Sequence, residues 1–361
     1  MEVTRRQLNR ATLARQLLLA RAPLGAAEAI SSLGGLQAQE AGPPFLGLWT
    51  RLDGFDASQL GAALQQRTVV RATLMRATLH LMTAADYLAF RLPLQPVLTR
   101  AMRVLGKRAD GLDLDRVVAV AGAALDEAPR TFGQLRSLLA ARFPDVDERA
   151  LGYAMRMNLP LVMVPTGDRW AFPADATFTP AEAWLDGTLI ANDAPHELVR
   201  RYLAAFGPAT AADVQEWSGL QGARAVLAEL RPELATLRDE RGRELFDLAS
   251  SPRPDSDVPA PLRLLPEFDS LVLAHADRSR VLADEHRAAV VTRNLRVRAT
   301  LLWDGFVHGT WDVTVTRTRA VVRVSLFTPL PRRAGDDLAR EAEAAARFVA
   351  GGDRTFDLEV T

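Results

Sequence analysis

The chain has 361 residues, 48% apolar and 24% charged, with 44 basic and 44 acidic side chains and no cysteine. That length exceeds the size at which a single core stops growing, so two or three domains are expected. Zero net charge argues against a protein that coats nucleic acid over its whole surface, though not against a local basic groove, and the lack of cysteine excludes disulfides, thiolate metal sites and cysteine nucleophiles.

Arg5 to about Ala20 reads as a first amphipathic helix, with Leu8, Thr12, Leu13, Leu17 and Leu18 on one stripe. This beginning is unlike a secretory leader, and no stretch approaches the roughly 20 apolar residues of a membrane span, so a cytoplasmic protein is expected. Ala26 to Leu33 gives a second helix, and Gly42-Pro43-Pro44 reads as a helix breaker. Asp56 to Gln66 is a third helix, and Thr68–Leu74 with Arg76–Met82 forms a hairpin. Helix, helix, helix, hairpin is the order of a winged helix.

The order recurs. Helices are predicted over Leu114–Glu127, Thr131–Arg142 and Asp147–Asn158, with a hairpin of Leu161–Thr166 and Arg169–Phe172. A third copy has helices at His196–Phe206, Ala209–Ser218 and Gln221–Leu230, then strands Leu234–Asp239 and Glu244–Leu248. After a proline-rich connector at 250–261, the dipeptide Asp304-Gly305 links two strands with a hairpin signature. Val313–Arg317 and Ala320–Phe327 continue the strands, Ala334–Ala350 is a terminal helix and Thr355–Val360 a last strand. The expected fold is α+β: three winged-helix units, at 1–112, 113–190 and 191–250, plus a β-rich region with a terminal helix at 262–361.

Within this frame Gly34-Gly35-Leu36-Gln37-Ala38-Gln39-Glu40 stands out. Residues i and i+2 of an extended chain point the same way, so the amides of Gln37 and Gln39 can converge on one object, fixing a water or polar ligand without charge. The plainer reading is two solvent-facing loop glutamines. Glu40 is a weaker candidate, as its side chain points oppositely.

Winged helices commonly bind DNA, but the candidate recognition helices are mostly small and apolar, which does not suit major-groove readout. Arginines cluster elsewhere: Arg67, Arg71 and Arg76 on the first hairpin, Arg238, Arg241 and Arg243 on the third, and Arg278, Arg280, Arg293, Arg296 and Arg298 beyond. Such clusters are either solvated surface or a phosphate clamp. An enzyme that wraps a duplex, a non-catalytic winged-helix regulator and a protein-interaction scaffold all remain open on these grounds.

The runs Gly35–Gln39, Val70–His80, Phe206–Leu220 and Leu264–Asp269 through Asp277-Arg278 resemble the AlkZ family of bacterial DNA glycosylases, in order and over nearly the whole chain. The resemblance implies a C-shaped tandem winged-helix fold, no cofactor, and removal of bulky alkylated purines from double-stranded DNA by a monomeric enzyme, including the unhooking of interstrand crosslinks. It makes Gln37 and Gln39 the catalytic pair, in a glutamine–glutamine form that resembles a self-resistance enzyme of an alkylating-antibiotic pathway. The expected DNA contacts are Arg71, Arg76, His80, Arg241, Arg243, Arg278 and Arg280.

Neutral amides are poor bases, but a 7-alkylguanine is cationic and leaves easily, so positioning water and stabilising an oxocarbenium-like sugar suffices. Lys107 is the only lysine. A Schiff-base lyase needs a nucleophilic amine, so simple hydrolysis to an abasic site is expected. Asp269, His275 and Asp277 lie in the family-like segment; Asp277 and Arg278 suit an ion pair as well as a site.

Overall fold

In the computed structural model, which describes residues 2–352 and 354–361, a short strand β1 (Glu2–Val3) precedes helix α1 (Arg5–Arg15). Thr4 and Gln7 cap α1 reciprocally, satisfying two N–H groups the helix leaves orphaned. The helix stops five residues short of the predicted Ala20 because Leu17 turns left-handed, at φ 55°. Nor is it an amphipathic surface helix: Asn9, Arg10, Thr12, Arg15 and Gln16 are buried as well as its leucines. Asn9 donates to the carbonyls of Arg280 and Gly305 at 2.8 and 2.7 Å, and Arg15 forks onto Asp247 at 2.7 and 2.9 Å. Polar groups can be buried at this density because nearly all of them find partners, Gln16 Oε1 being an exception.

Next come α2 (Ala26–Ser32), β2 (Leu36–Gln37), α3 (Pro43–Arg51), α4 (Ala57–Gln65), β3 (Val69–Thr73) and β4 (Leu79–Thr83). The two prolines expected to break a helix begin α3 instead; proline's fixed φ suits the first helical turn, where its missing N–H costs nothing. Two further helices, α5 (Ala84–Phe90) and α6 (Gln95–Ala101), follow, where the sequence pattern makes no prediction. Then α7 (Leu114–Glu127), β5 (Arg130–Thr131), α8 (Phe132–Arg142), α9 (Glu148–Asn158), β6 (Leu161–Met163), β7 (Thr177–Pro180) and α10 (Ala181–Leu185) complete the second run. The second hairpin differs from expectation. β6 pairs with β7 rather than with Arg169–Phe172, which curls into a turn closed by Thr166 and Ala171, and Trp170 packs edge-on against Phe45 at 5.1 Å. β2, β4, β3, β6, β7 and β5 form one six-stranded sheet, joined across the first two helical runs by Ala72 opposite Val162.

The third run matches the sequence closely: α11 (His196–Phe206), α12 (Ala211–Ser218), α13 (Ala223–Leu230), β8 (Leu234–Asp239) and β9 (Glu244–Leu248). β1 adds to it in parallel with β8. The C-terminal region holds β10 (Arg263–Leu265), α14 (Arg287–Val290), β11 (Thr300–Trp303), β12 (Phe306–Val315), β13 (Arg319–Leu326), α15 (Gly335–Ala350) and β14 (Thr355–Val360). Its strands make a five-stranded sheet in the order β10-β11-β12-β13-β14, with β14 parallel to β13 after the α15 crossover. Val313–Val315, expected to begin a new strand, prolongs β12. Asp304 and Gly305 are both left-handed, at φ 49° and 82°, the turn that Asp-Gly favours. A Cβ on Gly305 would lie 2.5 Å from Asn9 Oδ1, so glycine there also lets the turn dock on α1. Among the described residues no helix is long and apolar enough to cross a membrane.

Candidate active site

α2 cannot run on, because Gly34 and Gly35 adopt φ 73° and 87°. A Cβ on Gly35 would sit 2.9 Å from Met82 Cε and 3.0 Å from the Leu81 carbonyl; only glycine lets the chain drop so closely onto β4. β2 then pairs antiparallel with the edge of β4, Leu36 opposite Leu81 and Gln37 opposite His80. Two glycines thus deliver a glutamine to the turn end of the β3–β4 hairpin.

Gln37 is half-buried, and its Oε1 accepts a 2.7 Å hydrogen bond from Arg76 Nη2. Arg76 stands at the tip of the β3–β4 turn, itself left-handed at φ 54°, and its Nη1 donates to the carbonyl of Trp217 near the end of α12. Burial pushes its pKa down to about 10, opposed by the nearby Glu216 carboxylate, so it stays charged at neutral pH. His80 is buried and donates from Nδ1 to the Thr78 carbonyl at 3.0 Å, which leaves Nε2 an acceptor 3.5 Å from Arg76. Burial first, then the Arg76 charge, push its pKa down to about 3, so His80 is a neutral prop.

Ala38 is buried and bonds its N–H to the Leu79 carbonyl at 2.7 Å. Arg71, on β3, donates to the carbonyls of Ala38 and Gln39 at 2.9 and 3.2 Å and stacks over Phe172 at 4.9 Å. It is buried, and these bonds tie its guanidinium to the backbone of the Ala38–Gln39 loop. Gln39 is exposed, and its Oε1 lies 3.5 Å from the Leu79 N–H, at the limit of a hydrogen bond. The two amides line different cavities: Gln37 a narrow cleft against Pro266, Phe268 and Asp269, Gln39 an open cavity of about 670 Å³ with Arg71, Arg156 and Phe172. Only the buried Ala38 separates them along the chain.

Asp269 is buried and grips Arg51 of α3 with two bonds of 2.8 Å, an ion pair that fixes the wall facing Gln37. An Asp277–Arg278 ion pair, one of the two readings left open by the sequence, does not form. Asp277 binds Arg241 at 3.1 Å and Arg243 at 2.7 Å; burial raises its pKa, but bonds from Ser279 and Arg243 outweigh this and hold it at about 2. Arg278 bonds Glu216 at 3.2 Å while its Nε and Nη1 are buried without a partner. Arg280 is buried against the Pro208 carbonyl and Thr12, at 3.0 and 3.3 Å. His275 is buried beside the Phe206 carbonyl. Arg241 and Arg243 keep side-chain exposures of 65% and 40% at the β8–β9 tip, lining a cavity with Arg5 and Arg6 that shares no residue with those at the glutamines. The structure therefore gathers Gln37, Gln39, Arg71, Arg76 and His80 and leaves Arg241, Arg243 and Arg280 elsewhere. Glu216 and Arg156 join the site by folding alone, with no signal in the sequence.

The family model described as "DNA glycosylase AlkZ-like" matches residues 30–348, so the chain belongs to the AlkZ-like DNA glycosylases and is a DNA glycosylase. Among its relatives is the interstrand DNA cross-link repair glycosylase of Streptomyces sahachiroi, 28% identical over 344 residues, covering 87% of this chain and 89% of the relative. The solved structure of the Streptomyces sahachiroi DNA glycosylase AlkZ has the same fold, with a TM-score of 0.81 at 22% identity and full coverage of both chains. The regulator alternative gives way to this assignment.

Proposed function

We propose that the enzyme hydrolyses the N-glycosidic bond of alkylated purines in duplex DNA, 7-alkylguanines above all, and unhooks interstrand crosslinks. The observation that supports this reading most is the Gln37–Gln39 loop, whose backbone is clamped by Arg71 and whose first amide is held by Arg76. A pair of neutral, fixed amides suits a substrate that brings its own positive charge. When the base leaves, the bond electrons neutralise the ring cation, so the site need only orient water and exclude wrong geometries. Uncharged, undamaged bases gain little from such a site and survive.

The relative's name supports crosslinks as substrates. A base tied to the opposite strand cannot swing into a closed pocket, and the open cavity beside Gln39 meets that need. A role in self-resistance to a DNA-alkylating natural product extends the same reading. The three helix–helix–helix–hairpin runs, 1–112, 113–190 and 191–250, are inferred to be winged-helix units set as an open C around the duplex, with 262–361 as a fourth part. Arg241 and Arg243 are inferred to meet its phosphates, acting as a monomer without a cofactor.

The test is release of free base from duplex DNA carrying 7-methylguanine, or a nitrogen-mustard crosslink, by the native enzyme and by Gln37→Ala and Gln39→Ala at matched DNA occupancy. Release by the native protein and its loss in both variants is expected. Binding without release by the native protein defeats the reading.

A further inference from the structure

The two glutamines are chemically inequivalent, and the reason lies in what holds them. An arginine has five N–H donors and no acceptor. Whatever atom of the Gln37 amide lies 2.7 Å from Arg76 Nη2 must therefore be the carbonyl oxygen; the arginine itself fixes which end is oxygen and which nitrogen, an assignment otherwise open for glutamine. With Oε1 engaged by the arginine, the NH2 group is the unengaged end of the Gln37 amide, on a residue that lines the cleft. Gln39 has no comparable partner, since its Oε1 is 3.5 Å from the nearest N–H, so its carbonyl remains available.

We infer that Gln37 acts as a hydrogen-bond donor to the departing purine, that Gln39 is the acceptor for the attacking water, and that Arg76 is the positioning residue that sets this polarity. The assignment rests on the glycosylase reading above and deepens it. In the reaction the water oxygen forms a bond to C1′ while the C1′–N9 bond breaks. The bonding pair passes to the purine and cancels the charge of its alkylated ring. Electron density thus grows on the base, whose N3 and O6 are acceptors, and the Gln37 N–H strengthens its bond there as the transition state is reached. The water sheds its proton past the Gln39 carbonyl to solvent, which reaches that exposed side chain.

The charges around Gln37 suit a donor. Arg76 and neutral His80 face it from the hairpin, Glu216 and Arg278 stand behind Arg76, and Glu267 and Asp269 line the opposite wall. Asp269 is already committed to Arg51. A general base at position 37 is disfavoured here, because its carbonyl oxygen already accepts from a cation, which makes the remaining lone pair a poorer proton acceptor.

The experiment is single-turnover release of 7-methylguanine from duplex DNA with enzyme in excess, using Gln37→Glu and Gln37→Met. The glutamate is isosteric and pairs with Arg76, yet offers only acceptors. It should be as inactive as methionine, about 100-fold below native between pH 6 and 9. Gln37→Glu within tenfold of native, or faster as pH rises, would overturn the donor assignment while leaving the glycosylase intact. No release by native enzyme would instead sink the underlying reading. Arg76→Met should slow native enzyme about tenfold and cost nothing further in the Gln37→Met background. An additive loss would show that Arg76 acts independently of Gln37.

Discussion

Arg71 donates from Nε to the carbonyl of Ala38, 33 residues earlier in the chain, at 2.9 Å. This bond holds the middle of the Gln37–Gln39 loop, the proposed catalytic stretch. Arg71→Met should therefore lower base release by roughly 10- to 100-fold, the scale of a reacting group displaced by about 1 Å, with duplex affinity unchanged. An equal drop in affinity would place Arg71 on the DNA instead. Burial pushes its pKa down to about 10, so the clamp stays charged across the neutral range.

Asp269 and Arg51 are both buried and form a two-pronged pair. Asp269→Asn leaves the guanidinium in the core without its countercharge, and such changes cost about 3–5 kcal/mol. Urea denaturation of native and variant measures this directly; a loss below about 1 kcal/mol would mean the pair behaves like an exposed one.

If the β8–β9 tip rides on phosphates, Arg241→Ala and Arg243→Ala should each flatten the slope of log affinity against log salt by about 1. Base release under saturating conditions should hold. Unchanged slopes would confine these arginines to their pairing with Asp277 and Asp239.

His80 is buried, neutral and held at a pKa of about 3, whereas an unfolded histidine titrates near 6.5. Between these values the unfolded chain binds the extra proton, so stability falls as pH drops through that window. From pH 7 to 5 the loss from His80 is roughly 2 kcal/mol, and His275, lowered chiefly by burial, acts in the same direction. Asp277 does not interfere, because its carboxyl, held at about 2, contributes stability that is lost only well below pH 5. The difference between denaturation midpoints at the two pH values should narrow in His80→Gln, the remainder being due to groups such as His275; equal pH sensitivity in native and variant would contradict the assignment.

The sole lysine, Lys107, is exposed and lines neither cavity of the glutamine loop. Borohydride added during turnover should trap no covalent enzyme–DNA adduct, and the product should be an intact strand with an abasic site. A trapped adduct would point to an amine nucleophile.

Much of this was legible in the residues. Apolar periodicity located α7, α11 and α13, and Asp304-Gly305 announced its turn. The glutamine pair was marked by the two glycines before it, whose left-handed geometry is what places it at a sheet edge. Tertiary packing hid the rest. Pro43-Pro44 is ambiguous between stopping and starting a helix. The segment expected to pair with β6 instead carries Trp170 onto Phe45, a long-range contact. The arginines misled most: a guanidinium reads as a surface charge in sequence, yet Arg71 and Arg280 are buried on carbonyls, which no local pattern reports.

Helix α1 carries a cost in time. It is synthesised hundreds of residues before the carbonyls it must meet, those of Arg280 and Gly305, which lie 271 and 296 positions beyond Asn9. Its docking is staged: Leu8 can meet Leu237 and Leu245, and Arg15 can meet Asp247, once the third helical run is made, but Asn9 lacks its last partner until the Asp304-Gly305 turn has emerged. Contacts of such long sequence separation slow folding, and a chain that terminates before the turn leaves the buried amide of Asn9 without the Gly305 carbonyl.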